Sequence, residues 1–210
     1  MIAIIDYSAG NLTSVKRALD YLGIAATISA DPGVIGSAER IIFPGVGHAA
    51  SAMSVLKKRG LDTVLKKAYA AGTPILGICL GTQIILSRSE EGDTECVGII
   101  AGTVPRFTLS DTALKVPHMG WDAIRLVRRH PVLRDVKPDS EFYFVHSYYP
   151  LPSEPSAVVA VCDYEIEFPA VIGTKNLIAT QFHPEKSGPA GLRILENFAA
   201  WDGTKDGAPC

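Results

Sequence analysis

The first half of this 210-residue chain alternates fully apolar segments with segments of helical periodicity. The apolar segments predict buried strands at 2–7, 25–29, 40–43 and 74–79. Apolar residues three and four positions apart predict helices at 11–22, at 53–71 with a break near Gly60, and from 81 to 86. Fully apolar strands that alternate with helices predict a parallel sheet covered by helices on both faces.

Two local signals refine these segments. Asn11 precedes the first helical stretch and is a residue type that caps helix N-termini, so we expect it to cap that helix. Asp31-Pro32-Gly33 predicts a turn after the second strand. Ligands of parallel sheets bind beyond the carboxyl ends of the strands, where the sequence places Asp6, Pro44–Gly47 and Cys79.

The second half is richer in proline and in residues that favour strands. It predicts strands at 99–107, 123–126, 141–149, 158–162, 170–173 and 177–182, with a short helical turn at 130–133. Leu192, Leu195 and Phe198 predict a closing amphipathic helix over 188–201, followed by a loose polar tail at 202–210. No linker or internal repeat interrupts the chain, so we predict a single domain over 1–210.

The composition argues against several classes of protein. A formal net charge of −2 gives no basic surplus for nucleic acid, and no apolar run approaches the roughly 20 residues of a membrane span. The four cysteines form no CxxC pair, which favours free thiols in the cytoplasm over disulfides or zinc. Gly45-x-Gly47-x-x-Ala50 resembles a dinucleotide fingerprint but follows a later strand, next to Pro44, so we discard NAD binding. We expect no cofactor and no metal.

The sharpest local feature is a predicted strand that runs through Gly77-Ile78-Cys79-Leu80-Gly81 into a helix. Glycines on both sides of a cysteine permit the tight strand-to-helix turn of a nucleophile elbow. The N-terminus of the new helix favours a thiolate, and the Leu80 N–H would face an oxyanion formed by its attack on a carbonyl. A buried, inert cysteine is the alternative, and the elbow alone does not decide between the two.

A thiolate nucleophile needs a base, and the base needs an orienting partner. Of the five histidines, only His183 ends a buried strand and has a carboxylate, Glu185, two positions later. Residues two apart in extended chain point the same way, so Glu185 can hold one imidazole nitrogen while the other faces Cys79. A structural histidine beside a solvated glutamate is the alternative for this motif taken alone.

These residues, with other motifs along the chain, resemble the class I glutamine amidotransferases. Within that family the chain is most similar to the glutaminase subunits of bacterial imidazole glycerol phosphate synthases. The motifs are Asp6-Tyr7-x-x-Gly10-Asn11-Leu12, Pro44-Gly45-Val46-Gly47, Gly77-Ile78-Cys79-Leu80-Gly81-x-Gln83, Ser89-Glu90-Glu91-Gly92, Pro117-His118-Met119-Gly120-Trp121, Phe144-Val145-His146-Ser147-Tyr148 and His183-Pro184-Glu185-Lys186-Ser187.

The resemblance implies a role for each matched position. Cys79 is the nucleophile, His183 is the base and later the acid, and Glu185 orients His183. The second oxyanion donor is the amide of Val46 or Gly47, beside that of Leu80. The residues implied to hold the substrate are Gln83, one helical turn beyond Cys79, and the loop of His146, Ser147 and Tyr148.

The implied fold is a flavodoxin-like, open and mostly parallel sheet with helices on both faces and an added antiparallel β portion in the second half. The implied reaction converts L-glutamine and water to L-glutamate and ammonia through a thioester on Cys79. The implied partner is a cyclase subunit with a (β/α)8 barrel, which forms a heterodimer with this chain, receives the ammonia and makes imidazole glycerol phosphate in histidine biosynthesis. Asp122 and Ala49 stand where that family usually carries Asn and an aromatic residue.

Three other functions remain open from the sequence. A glutaminase of the same fold can serve another synthase or amidating enzyme. A deglycase or peptidase of the wider elbow-cysteine folds usually has its histidine soon after the cysteine, but no histidine lies between Cys79 and His118. A non-catalytic regulatory subunit would not need Cys79, His183 and Glu185 together.

Overall fold

A computed structural model describes residues 1–8, 11–111 and 113–204 of the chain. Gly10 of the first motif and most of the predicted tail therefore lie outside the described residues. None of the described helices has the length and apolar character needed to cross a membrane. The helices are α1 (Leu12–Tyr21), α2 (Pro32–Gly36), α3 (Ala49–Arg59), α4 (Leu61–Ala71), α5 (Leu80–Ile84) and α6 (Gly188–Ala200).

Fourteen strands lie in the described residues, and eight of them form the main sheet. In chain order they are β1 (Ile2–Ile5), β2 (Ala26–Ser29), β3 (Arg40–Gly45), β4 (Ile75–Cys79), β5 (Arg88–Ser89), β6 (Thr94–Glu95), β7 (Gly102–Val104), β8 (His118–Ala123), β9 (Arg125–Leu126), β10 (Glu141–His146), β11 (Leu151–Pro152), β12 (Val158–Tyr164), β13 (Ile166–Thr174) and β14 (Leu177–Thr180). Short 3-10 helices lie at Pro131–Leu133, Pro155–Ala157 and Pro184–Lys186.

The main sheet has the order β2-β1-β3-β4-β14-β13-β12-β9. The first five strands pair in parallel, which is the 2-1-3-4-5 order of flavodoxin-like sheets, and the last three continue it antiparallel. Two smaller sheets accompany it, one formed by β10 and β8 and one with the order β11-β7-β5-β6. The predicted parallel sheet with an antiparallel addition is confirmed.

Helices cover both faces of the main sheet because successive residues of its strands point to opposite sides. On β3, Ile41 and Phe43 face a core that contains Leu56 of α3 and Leu65 of α4. Ile42 faces the other core, which contains residues of α1 and α6, among them Leu19, Leu195 and Phe198. Burial on both sides explains why the parallel strands are apolar throughout rather than alternating.

Two local predictions differ from the structure, the first in part. Asn11 occupies the N-cap position of α1, but it has a left-handed backbone and its side chain makes no cap hydrogen bond. The predicted turn at Asp31-Pro32-Gly33 is instead the start of α2, because the Asp31 carboxylate accepts the N–H groups of Gly33 and Val34 and caps a helical turn.

Candidate active site

Cys79 ends β4 and lies at the turn into α5. Its backbone has φ 53° and ψ −110°, a conformation that a side-chain-bearing residue adopts only under strain, as nucleophile elbows require. The turn is tight enough that a Cβ on Gly81 would lie 1.9 Å from the Phe43 carbonyl oxygen. Glycine is therefore required there, and the cysteine is held at the carboxyl end of the central strand.

His183 and Glu185 follow β14, the strand next to β4. The Nδ1 of His183 donates to Oε1 of Glu185 at 2.8 Å, with 1% and 0% of the two side chains exposed. Burial disfavours the charged imidazole, but interactions with Cys79 and with Glu185 outweigh it and raise the pKa of His183 to about 10. The ring is therefore an imidazolium at neutral pH, between the sulfur and the carboxylate.

Asn11 also contacts this pair. Its side-chain amide donates to Oε1 of Glu185, the same oxygen that accepts from His183. This contact explains why Asn11 does not cap α1. Sequence reasoning missed it because residues 11 and 185 are brought together only by the folding of α1 against the segment after β14.

A cavity of about 320 Å³ opens beside the elbow. It is lined by every predicted oxyanion and substrate residue as well as by the nucleophile: Val46, Gly47, Cys79, Leu80, Gln83, His146, Ser147 and Tyr148. Three further lining residues, Glu91, Pro117 and Val145, were not singled out as site residues. The first and last lining residues, Val46 and Tyr148, are 102 positions apart in the sequence, and the fold brings them to one cavity.

Glu91 brings a carboxylate to the wall of the cavity. Its Oε2 accepts the Ala49 N–H at 2.6 Å, which ties the loop between β5 and β6 to the start of α3. The Ser89-Glu90-Glu91-Gly92 motif was the available signal, but the sequence gave no reason to choose between its two glutamates. In the structure Glu90 instead accepts the Arg106 N–H, away from the cavity.

Gln181 is a second residue that sequence reasoning missed. It is fully buried, and its side-chain amide lies 3.8 Å from the Cys79 sulfur, as a donor. Its own oxygen accepts from Nε2 of Gln83 at 3.1 Å. The same Nε2 donates to the Tyr148 carbonyl at 2.9 Å, so a line of hydrogen bonds joins the predicted substrate loop to Cys79.

Among the described residues, no group of three His, Cys, Asp or Glu side chains is placed to hold a metal ion. The site combines a thiol at an elbow, a buried imidazolium held by a carboxylate, and a cavity beside the thiol. That combination defines a thiol hydrolase of the nucleophile-elbow type, which acts on a carbonyl group.

Comparisons with known proteins agree with this class. Residues 3–201 match the family model described as "Glutamine amidotransferase class-I". The imidazole glycerol phosphate synthase subunit HisH of Nitratidesulfovibrio vulgaris (strain DSM 19637 / Miyazaki F) is 52% identical over 206 residues, covering 96% of this chain and 97% of that protein. The subunit of the same name from Chloroflexus aurantiacus is 46% identical, covering 96% of both.

Solved structures agree on the fold. A crystal structure of a glutamine amidotransferase superposes with a TM-score of 0.71 at 17% identity, covering 96% of this chain and all of that one. The structure of PurLQS from Thermotoga maritima gives the same TM-score at 15% identity, covering 95% and 97%. The chain belongs to the class I glutamine amidotransferases and, within them, to the family of HisH subunits.

Proposed function

We propose that this chain is the glutaminase subunit of an imidazole glycerol phosphate synthase. It hydrolyses L-glutamine to L-glutamate and passes the ammonia to a cyclase subunit for histidine biosynthesis. The observation that carries the proposal is the cavity at the elbow, where Cys79 lies next to the hydrogen-bonded pair of His183 and Glu185. The family and its HisH members supply the substrate and the pathway.

The proposed reaction uses Cys79 as the nucleophile and His183 as the acid and then the base. The Cys79 thiolate attacks the side-chain carbonyl carbon of glutamine, and the carbonyl electron pair moves to the oxygen. The C–N bond then breaks, the His183 imidazolium gives its proton to the leaving nitrogen, and ammonia departs from a glutamyl thioester. His183, now neutral, takes a proton from water as the water oxygen attacks the thioester carbon. The C–S bond then breaks and glutamate leaves, with Cys79 again a thiolate and His183 again an imidazolium.

The negative oxygen of both tetrahedral intermediates needs hydrogen-bond donors. Leu80 is the first residue of α5, and the first N–H groups of a helix have no partner within the helix. Val46 and Gly47 line the same cavity, with Gly47 at φ 110°. We assign the oxyanion hole to the Leu80 amide together with an amide of the Val46–Gly47 turn.

The rest of glutamine is an α-ammonium and an α-carboxylate. The Glu91 carboxylate suits the ammonium group by charge, and backbone and side-chain groups of Gln83, Ser147 and Tyr148 surround the remaining volume. We therefore add Glu91 to the substrate residues proposed from the sequence, which are Gln83, His146, Ser147 and Tyr148.

The outer face of the two-stranded sheet suits the cyclase. Met119 and Trp121 on β8 are 62% and 51% exposed, and Trp121 lies 5.9 Å from Tyr143 on β10, measured between ring centroids. The Tyr143 carbonyl accepts the backbone N–H of His183 at 3.0 Å, and the two side-chain rings lie 6.4 Å apart between centroids, so this apolar face adjoins the catalytic imidazole. A (β/α)8-barrel cyclase that docks here as a heterodimer receives ammonia close to where it forms.

Cys79, Cys96 and Cys162 are free thiols, which supports a cytoplasmic location.

Substitution of the nucleophile in the complex tests this function. Cys79→Ala is expected to abolish glutamine-dependent synthase activity and to leave activity with added ammonium salt close to wild type, because only ammonia production needs the thiol. The measurement is the rate of imidazole glycerol phosphate formation with each nitrogen source. Loss of both activities, or retention of the glutamine-dependent one, would contradict the assignment.

A further inference from the structure

Two buried histidines face each other beside the substrate loop. His118 begins β8 and His146 ends β10, and the two are directly paired across these antiparallel strands. Nδ1 of His118 lies 3.2 Å from Nε2 of His146, and the residues are 1% and 5% exposed. The outer nitrogen of each ring has a second partner. His118 Nε2 lies 2.6 Å from Oδ2 of Asp122, and His146 Nδ1 lies 2.8 Å from the Tyr148 carbonyl oxygen.

The partners determine where the protons are. A carbonyl oxygen can only accept, so Nδ1 of His146 carries a proton. Burial, only partly opposed by the Tyr148 carbonyl, lowers the pKa of His146 to about 3, so the ring is neutral and Nε2 is an acceptor. The hydrogen between the two rings must then come from Nδ1 of His118.

The outer nitrogen of His118 contacts the Asp122 carboxylate. Once Nδ1 of His118 carries a proton, a neutral His118 would turn a lone pair of Nε2 toward the carboxylate at 2.6 Å. A hydrogen bond across this contact therefore needs a proton on Nε2 of His118 as well. Burial lowers the pKa of His118, and the hydrogen bond and charge of Asp122 oppose this effect. Asp122 is therefore the partner of a buried ring, in addition to its place on an exposed strand.

The inner end of this chain of hydrogen bonds is a wall of the cavity. The Tyr148 carbonyl accepts from both His146 and Gln83, and His146, Tyr148 and Gln83 all line the cavity. We propose that His118 is a positioning residue for glutamine binding. Its Nδ1–H bonds Nε2 of His146 and so holds in place the ring whose own Nδ1–H binds the Tyr148 carbonyl and the loop that contacts the substrate. The role at the substrate rests on the proposed glutaminase function, whereas the tautomer of His146 does not.

The main alternative is that His118 only fills space. Its ring stacks on Tyr164 at 4.0 Å and on Phe144 at 4.8 Å, measured between ring centroids. Two substitutions separate the roles. His118→Phe keeps an aromatic ring for the stack and removes the N–H, whereas His118→Asn removes the ring and offers an amide N–H close to the position of Nδ1.

The experiment uses the complex with the cyclase and measures KM and kcat for glutamine. His118→Phe is expected to raise KM roughly tenfold with little change in kcat, since His146 is left without its donor. His118→Asn and Asp122→Asn are expected to stay within about threefold of wild type, because an amide can satisfy the neighbouring ring nitrogen in each case. Near-normal KM in His118→Phe combined with a raised KM in His118→Asn would show a packing role and overturn the proposal.

Nitrogen-15 NMR of the imidazoles gives a readout that does not need activity. The Nε2 signal of His146 is expected to be that of a hydrogen-bonded acceptor in wild type and His118→Asn, and that of an unbonded nitrogen in His118→Phe, with the proton on Nδ1 in all three. An Nε2–H tautomer of His146 in the wild-type chain would overturn the inference even if His118→Phe failed to fold. Conversely, a wild-type complex that shows the Nδ1–H tautomer but releases no glutamate would refute the proposed function and leave the tautomer assignment standing.

Discussion

At the scale of residues, the pKa values of two buried histidines in one site are shifted in opposite directions. His183 contacts a thiol and a carboxylate, which raise its pKa to about 10 against the effect of burial. For His146 burial dominates, and the nearby rings of His118 and His183 add to it, so its pKa falls to about 3. The neighbours of each ring therefore decide that His183 is an imidazolium at neutral pH, as the proposed mechanism requires, and that His146 is neutral.

The raised pKa of His183 gives a pH prediction. The imidazolium that protonates the leaving nitrogen is present below about pH 10 and is lost above it, so kcat for glutamine is expected to fall as the pH rises through this range. Glu185→Gln removes one of the interactions that raise this pKa, and the fall is expected at lower pH. The measurement is kcat between pH 7 and 11 for both proteins. If kcat of the variant falls over the same pH range as that of wild type, this role of Glu185 is contradicted.

The same variant should be less damaging than loss of the reacting groups. A glutamine at position 185 can still accept from Nδ1 of His183 and orient the ring, so turnover is expected to fall roughly 10²–10⁴-fold, less than for Cys79→Ala or His183→Ala. Equal losses in the three variants would give Glu185 a different role.

At the scale of elements, the elbow depends on close approach of two backbones. A Cβ at Gly81 would meet the Phe43 carbonyl of β3, so Gly81→Ala is expected to lower the free energy of unfolding by about 1–3 kcal/mol or more and to displace Cys79. Gly36 has open space around its Cβ position, and Gly36→Ala is the matched control, expected within about 0.5 kcal/mol of wild type. Urea unfolding measures both, and similar stability of the two variants would refute the close packing of the elbow.

The sequence predicted most elements of the parallel sheet because each carries its own local signal. The elbow and the spacing of His183 and Glu185 are also local patterns, which is why the central residues of the site could be proposed. Glu91, Gln181 and His118 could not be placed at the site, because their contacts there arise from loops and strands that meet only in the folded chain. Asn11 was misread for the same reason: its partner Glu185 lies 174 residues away.

At the scale of the whole molecule, the exposed face of β8 and β10 is expected to bind the cyclase. Trp121→Ala removes an exposed aromatic residue of this face and is expected to weaken the complex roughly tenfold or more. Tyr21→Ala, at an aromatic residue on α1 that is 79% exposed, is the matched control and is expected to leave binding unchanged. Calorimetric titration with the cyclase measures both. Equal affinity of the two variants would mean that the partner docks elsewhere.

The prediction of a single domain over 1–210 stays a prediction.

The account as a whole predicts a glutaminase that works together with a synthase subunit. Its most direct test is the rate of glutamate release from glutamine by this chain alone, with the cyclase, and with the cyclase and its substrate. The expected result is a stable complex in which glutamate release rises on addition of the cyclase and again with its substrate, and disappears with Cys79→Ala. No complex and no stimulation, with a wild-type chain that is folded, would contradict the assignment to this synthase.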